Sequence, residues 1–128
     1  MCAVENNIPV SMVKALPGFP DIYSFRLQKI PGNSLFFWLE SQDGPSFILT
    51  KPGLFFNDYL VKINKNELVE ELLAHDDDIE VYSIVTVPDN PADMTTNLMA
   101  PLLINEATGL GCQVVLHDSQ YTTRHHLY

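Results

Sequence analysis

The sequence predicts a mainly β protein: a small antiparallel β-barrel-like or sandwich domain with one short helix. Three observations carry this. Apolar residues come in short runs of strand length. Nine prolines punctuate those runs, so that turn signals recur every ~8–12 residues. The length of 128 residues suits one domain of ~100–150 residues, and no repeat, low-complexity tract or linker divides residues 1–128.

The elements follow in order. Tyr23, Phe25 and Leu27 alternate with Ser24, Arg26 and Gln28, the period-two pattern of a half-buried strand. Pro31-Gly32-Asn33 is a turn. Leu35 to Leu39 is a continuous apolar run that suggests burial on both faces, and at least one of Phe36, Phe37 and Trp38 must face away from a one-sided core. Asp43-Gly44-Pro45 makes a hairpin-type turn, and Ser46 to Thr50 returns as a strand with Phe47 and Leu49 on one face. Pro52-Gly53 breaks it, and Tyr59, Val61 and Ile63 alternate in another strand. Asn64 as N-cap with Glu67 three residues on has capping-box spacing, and Leu68, Val69, Leu72 and Leu73 repeat at helical spacing up to His75. Ile79, Val81, Val85 and Val87 form a long β-branched strand ended by Pro88. Leu98 to Ile104 reads as a strand interrupted by Pro101, which cannot donate to a ladder. Gly109-x-Gly111 turns the chain, Cys112 to His117 is the partner strand, and Tyr121 to Tyr128 is a last edge strand or a frayed tail.

Charge and composition exclude several function classes. Seven Lys and Arg against sixteen Asp and Glu give a net charge of −9. That surface repels phosphate backbones and anionic membranes, so direct nucleic-acid or membrane binding is not expected. It attracts basic proteins, or it only confers solubility. The N-terminus lacks the basic start and apolar stretch of a signal peptide, and no apolar run approaches bilayer-spanning length, so a cytoplasmic protein is expected. Cys2 and Cys112 form no C-x-x-C pair, and Cys112 reads as a small buried hydrophobe.

Catalytic and metal patterns are missing. There is no G-x-S-x-G elbow and no Walker or Rossmann glycine pattern. Asp76-Asp77-Asp78 lacks the alternation and the glycine of a calcium loop. His125 and His126, adjacent on a strand, point to opposite faces. Cys112 and His117 are ~16 Å apart if both lie on one strand. The expectation is no enzyme, no cofactor and no metal. The alternative left open is a small β-barrel ligand-binding protein or enzyme using the Cys112/His117 region. What stays distinctive is the aromatic inventory. Phe55 and Phe56 beside a Pro-Gly turn suit protein recognition, or they plug one end of a barrel.

An ordered series of short motifs then carries a resemblance. Leu16-Pro17-Gly18-Phe19 resembles an L/I-P-G-F signature. Leu39-x-Ser41-x-Asp43 with Phe47 is similar to an L-x-S turn and its following strand. Pro52, Phe56, Asp58 and Tyr59 match a P-x-x-x-F-x-x-Y stretch. Ile84-Val85-Thr86-Val87 is followed by Asn97-Leu98-x-Ala100-Pro101-Leu102-x-Ile104-Asn105, then by Gln113-Val114-x-Leu116 and Tyr121. This order resembles the FliW family of flagellar assembly factors from about residue 16 to the end. The resemblance implies a noncatalytic β-barrel-like protein of the bacterial cytoplasm. It would bind flagellin and antagonise the translational regulator CsrA, coupling flagellin level to its translation. Family members usually carry a longer segment before P-G-F, so the fifteen residues before Leu16 predict a shortened or missing edge strand. Candidate partner-binding residues are Phe55, Phe56 and Tyr59; Asn97, Leu98, Pro101 and Asn105 from the signature; and, on charge alone, Glu67, Glu70, Glu71, Asp76, Asp77 and Asp78. These last hold six of the sixteen acids.

Overall fold

Period-two alternation in the sequence becomes a closed sheet. In this computed structural model the described residues are 7–13, 15–16, 18–42, 44–56, 59, 79–115 and 121–127. Among them lie nine strands: β1 (Asn7–Met12), β2 (Ser24–Lys29), β3 (Phe36–Ser41), β4 (Ser46–Thr50), β5 (Ile79–Thr86), β6 (Thr95–Thr96), β7 (Leu102–Asn105), β8 (Leu110–Gln113) and β9 (His125–His126). The sheet order is β4-β3-β2-β1-β8-β7-β5-β6-β9, and an added β4–β5 pairing joins the first strand back to β5. Seven strands therefore close into a barrel, which removes the exposed edges of an open sheet. The two-residue strands β6 and β9 extend outward from β5. The pairings are antiparallel apart from β1–β8, where Ser11 and Met12 run parallel to Leu110 and Gly111. The mainly β expectation holds, and of its two forms the barrel is the one observed.

Inward and outward residues separate along each strand. Phe25, Leu27, Phe37, Leu39, Leu49, Tyr82, Leu102 and Ile104 fill the barrel with Val10 and Met12 of β1. The outer face of β5, β7 and β8 is also covered: Val81, Leu103 and Cys112 pack with Tyr59, Leu98 and Tyr121. A third cluster sits outside β3, β4 and β5, where Phe36, Ile48 and Val85 meet Phe55, Phe56, Met94 and Leu127. This explains the unbroken apolar runs. Leu102, Leu103 and Ile104 are all fully buried because both faces of β7 are packed. Phe36 and Phe37 are likewise buried on opposite faces, and Trp38 is the aromatic of that run left 36% exposed.

Four expectations are corrected. The first concerns the N-terminal segment, expected to lack or shorten an edge strand. β1 is present and interior to the ring, pairing β2 over Asn7–Ser11 and then β8. Pro9 is tolerated there for a geometric reason. The Ser11 N–H donates to Gly109 on the β8 side, so the nitrogen of Pro9, two residues earlier, also faces that side. There the β8 ladder has not yet begun, and no ladder bond is lost. Second, Leu98 to Ile104 is not one interrupted strand. Thr96 and Leu102 both pair with β5, and residues 97–101 leave the sheet between them. Third, the partner strand thought to run from Cys112 to His117 is β8, Leu110–Gln113. Fourth, the tail forms the edge strand of the two forms expected, but that strand is limited to His125 and His126, which pair with β6 at the end of the sheet. The predicted helix over 64–75 and the strand positions Val61 and Ile63 lie outside the described residues.

Candidate functional site

The signature residues converge on the excursion between β6 and β7. Asn97 opens it: its N–H donates to the Ile84 carbonyl at 2.9 Å, and its Oδ1 accepts from the N–H groups of Met99 and Ala100, both at 3.1 Å. An asparagine side chain thus replaces the ladder partners that the backbone gives up on leaving the sheet. Leu98 turns into the outer cluster and is 1% exposed. Its N–H donates to the Thr122 carbonyl at 3.0 Å, and its carbonyl accepts the Tyr59 hydroxyl at 2.6 Å. The Pro101 carbonyl accepts from Val114 N–H at 3.0 Å, and the Gln113 side-chain amide donates to the Ala100 carbonyl at 2.9 Å.

Asn105 does the same work at the end of β7. Its Oδ1 accepts from Ala107 N–H at 2.9 Å and Thr108 N–H at 3.2 Å. Asn105 is 1% exposed, and its Nδ2 is buried without a hydrogen-bond partner. Tyr59 is equally buried, edge-on to Tyr121 at 4.9 Å. Burial, and secondarily the neighbouring Tyr121, push the Tyr59 phenol well above the ordinary tyrosine range. Tyr59, Leu98, Pro101 and Asn105 are therefore placed inside the fold, where their side chains brace it.

Phe55 and Phe56 follow the 3₁₀ turn at Pro52–Leu54. Their rings lie 6.2 Å apart; Phe55 meets Phe36 at 6.4 Å and Phe56 stands edge-on to His125 at 5.1 Å. Both are half-buried, and they tie the turn and β9 to the outer face of the barrel. Their neighbour Leu54 is 56% exposed, an apolar position the sequence reading passed over. Glu67, Glu70, Glu71 and Asp76 to Asp78 lie outside the described residues.

A second constellation was missed in the sequence. At one end of the barrel a cavity of about 720 Å³ is lined by Lys29, Lys51, Tyr82 and Glu106 over an apolar floor. Lys51 Nζ sits 3.0 Å from Glu80 Oε1, and 5.7 and 5.6 Å from the ring centres of Phe37 and Tyr82. Tyr82 donates its hydroxyl to Glu106 Oε2 at 2.5 Å. Burial, then the bond to Glu106 and the charges of Glu106 and Glu80, hold the Tyr82 phenol far above its usual value. The signal was available. Lys29, Lys51 and Glu106 each fall two residues after an inward residue, and so keep the inward register.

The Cys112/His117 alternative finds no such setting. Cys112 is 1% exposed and packs with Ile79 and Leu103 in the outer cluster. It lines neither the cavity at the barrel end nor the two shallower depressions on the β2–β3 side. His117 lies outside the described residues. Among the described residues no group of three or more His, Cys, Asp or Glu is placed to hold a metal ion, and no helix is long and apolar enough to cross a membrane.

Known proteins share both the sequence and the barrel. A family model described as "FliW protein" matches residues 2–127, so the likeness starts well before residue 16. A flagellar assembly factor FliW of Heliobacterium modesticaldum is 39% identical over 127 residues, covering 98% of this chain and 83% of that protein. One from Bacillus subtilis is 36% identical over 114 residues, 86% of this chain and 78% of that protein. The crystal structure of a flagellar assembly factor FliW superposes with a TM-score of 0.81 at 32% identity, over 94% of this chain and 85% of the other. Agreement of this extent in order, register and fold leaves one assignment: the chain belongs to the FliW protein family.

Proposed function

We propose that this chain is a noncatalytic assembly factor of the bacterial cytoplasm that binds flagellin and antagonises CsrA, coupling flagellin level to its translation. The observation that carries the reading is family membership over nearly the whole chain. The net charge of −9 supports the second partner. A regulator that binds RNA presents a basic surface, and an acidic protein approaching it adds negative charge where phosphates would sit.

The work divides among three sets of residues. Asn97, Leu98, Pro101, Asn105 and Tyr59 hold the excursion and the β7–β8 turn in shape. Phe55 and Phe56, with exposed Leu54 beside them, give the apolar contact for flagellin. Glu67, Glu70, Glu71 and Asp76 to Asp78 give the acidic contact for CsrA.

Pull-down with purified flagellin and purified CsrA tests this. Both are retained at micromolar concentration; retention of neither sinks the reading. Replacing Glu67, Glu70 and Glu71 by Gln and Asp76 to Asp78 by Asn weakens CsrA capture at least tenfold and leaves flagellin capture intact. Equal loss of both would place the acidic segment elsewhere in the mechanism.

A further inference from the structure

Three strands carry their inward register one step past the core, and each then sets a charge in the barrel mouth. Leu27, Leu49 and Ile104 belong to the barrel core. Lys29, Lys51 and Glu106 follow two residues later, and all three line the cavity of about 720 Å³. The economical way to end a side-chain-filled barrel is an apolar plug. Instead the floor of Ile8, Leu27 and Phe37 is left under a ring of charge.

The size and composition are those of a ligand site, an apolar concavity of ~300–1,000 Å³ with a few convergent polar groups, as found in barrel mouths. The polar groups are not equivalent. Lys51 is held by Glu80 and two aromatic faces, and Glu106 by the Tyr82 hydroxyl. Lys29 has no ion-pair partner among the described residues. Two of the four Lys and Arg side chains among the described residues meet here, in a chain of net charge −9. What the mouth still lacks, among the described residues, is an ion-pair partner for Lys29 above that apolar floor.

We infer that the barrel mouth bounded by Lys29, Lys51 and Glu106 is a binding site for a small amphipathic monocarboxylate. Its apolar body rests on Ile8, Leu27 and Phe37, and its carboxylate accepts from Lys29 and Lys51. Glu106, fixed by Tyr82, disfavours a second carboxylate on the ligand. A cationic ligand would meet two ammonium groups, and it would find the aromatic faces of Phe37 and Tyr82 occupied by Lys51, Glu80 paired with Lys51 and Glu106 bonded to Tyr82.

Octanoate, 1-octanol and octyltrimethylammonium serve as probes, followed by amide chemical shifts and calorimetry on the full chain. Octanoate produces saturable shifts at Leu27, Phe37 and Tyr82. The alcohol and the cation bind at least tenfold more weakly, the order of one charge-assisted hydrogen bond. Lys29→Met lowers octanoate affinity by roughly tenfold and leaves 1-octanol unchanged, while Arg26→Met, on the outer face of β2, alters neither. Unchanged melting temperatures show that both variants fold. Absence of saturable octanoate shifts, equal affinity for the three probes, or full octanoate affinity in Lys29→Met each overturns the inference. Because no flagellar partner enters this experiment, its outcome is independent of the partner assays above.

Discussion

Asn105 shows how a signature residue can hold a turn from inside the fold. One buried oxygen accepts two backbone N–H groups of the turn that joins β7 to β8. Asn105→Ala leaves those donors without their acceptor and should lower unfolding free energy by about 1–3 kcal/mol, read by urea denaturation. A change within ~0.5 kcal/mol, the range of an innocuous surface substitution, would show that water replaces the side chain. Tyr59 gives a matched pair. Tyr59→Phe removes only the hydroxyl bonded to the Leu98 carbonyl and should cost about 1 kcal/mol, whereas Tyr23→Phe, at a side chain 48% exposed, should cost nothing measurable. At this scale the sequence is legible in part. The side-chain chemistry of asparagine names Asn97 and Asn105 as turn braces, but only the fold shows that Leu98 and Tyr59 bond to each other across 39 residues.

The elements were legible wherever one local signal dominated. The alternation of Phe25 and Leu27, the apolar run into Leu39 and the β-branched run from Ile79 all became strands. The failures were tertiary. β1 carries Ile8, Val10 and Met12 in alternation, but Pro9 breaks the strand pattern, and nothing local shows that its missing N–H faces an unladdered side. β6 is two threonines long and persists because Thr96 hydroxyl bonds Ser83 at 2.6 Å and the Ile84 carbonyl at 2.9 Å. The parallel β1–β8 seam depends on a close approach that only glycine permits. Gly109 has φ 79°, and a Cβ there would lie 2.6 Å from the Pro9 carbonyl oxygen. Gly32 has a similar φ of 75° with open space around it. Gly32→Ala should therefore cost about 1 kcal/mol for the left-handed backbone alone. Gly109→Ala pays that and must also part β1 from the β7–β8 turn, so its melting temperature should fall further. Equal losses would mean that the seam yields without cost.

For the whole molecule, two features act together: a barrel packed inside and on much of its outside, and a strongly acidic charge. The packing has a titration consequence. Tyr59 and Tyr82 both have phenols raised by burial in the folded state. Their stabilising contribution is thus complete below the ordinary tyrosine value of about 10 and is lost as pH rises beyond it. Above that pH, stability should fall by up to about 1.4 kcal/mol per pH unit for each phenol, and Tyr59→Phe should remove about one proton from the slope. A pH-independent denaturation midpoint between pH 9.5 and 11.5 would refute the shared burial effect. In the proposed reading the charge steers association, which weakens as salt rises because at ~0.15 M screening acts beyond ~8 Å. The functional reading comes down to two partners and one acidic surface. Its most direct test is calorimetric titration of the chain into flagellin and into CsrA at low and at physiological salt. The account predicts saturable binding to both, with CsrA affinity weakening as salt rises. Heats indistinguishable from dilution for both partners at micromolar concentration would contradict it.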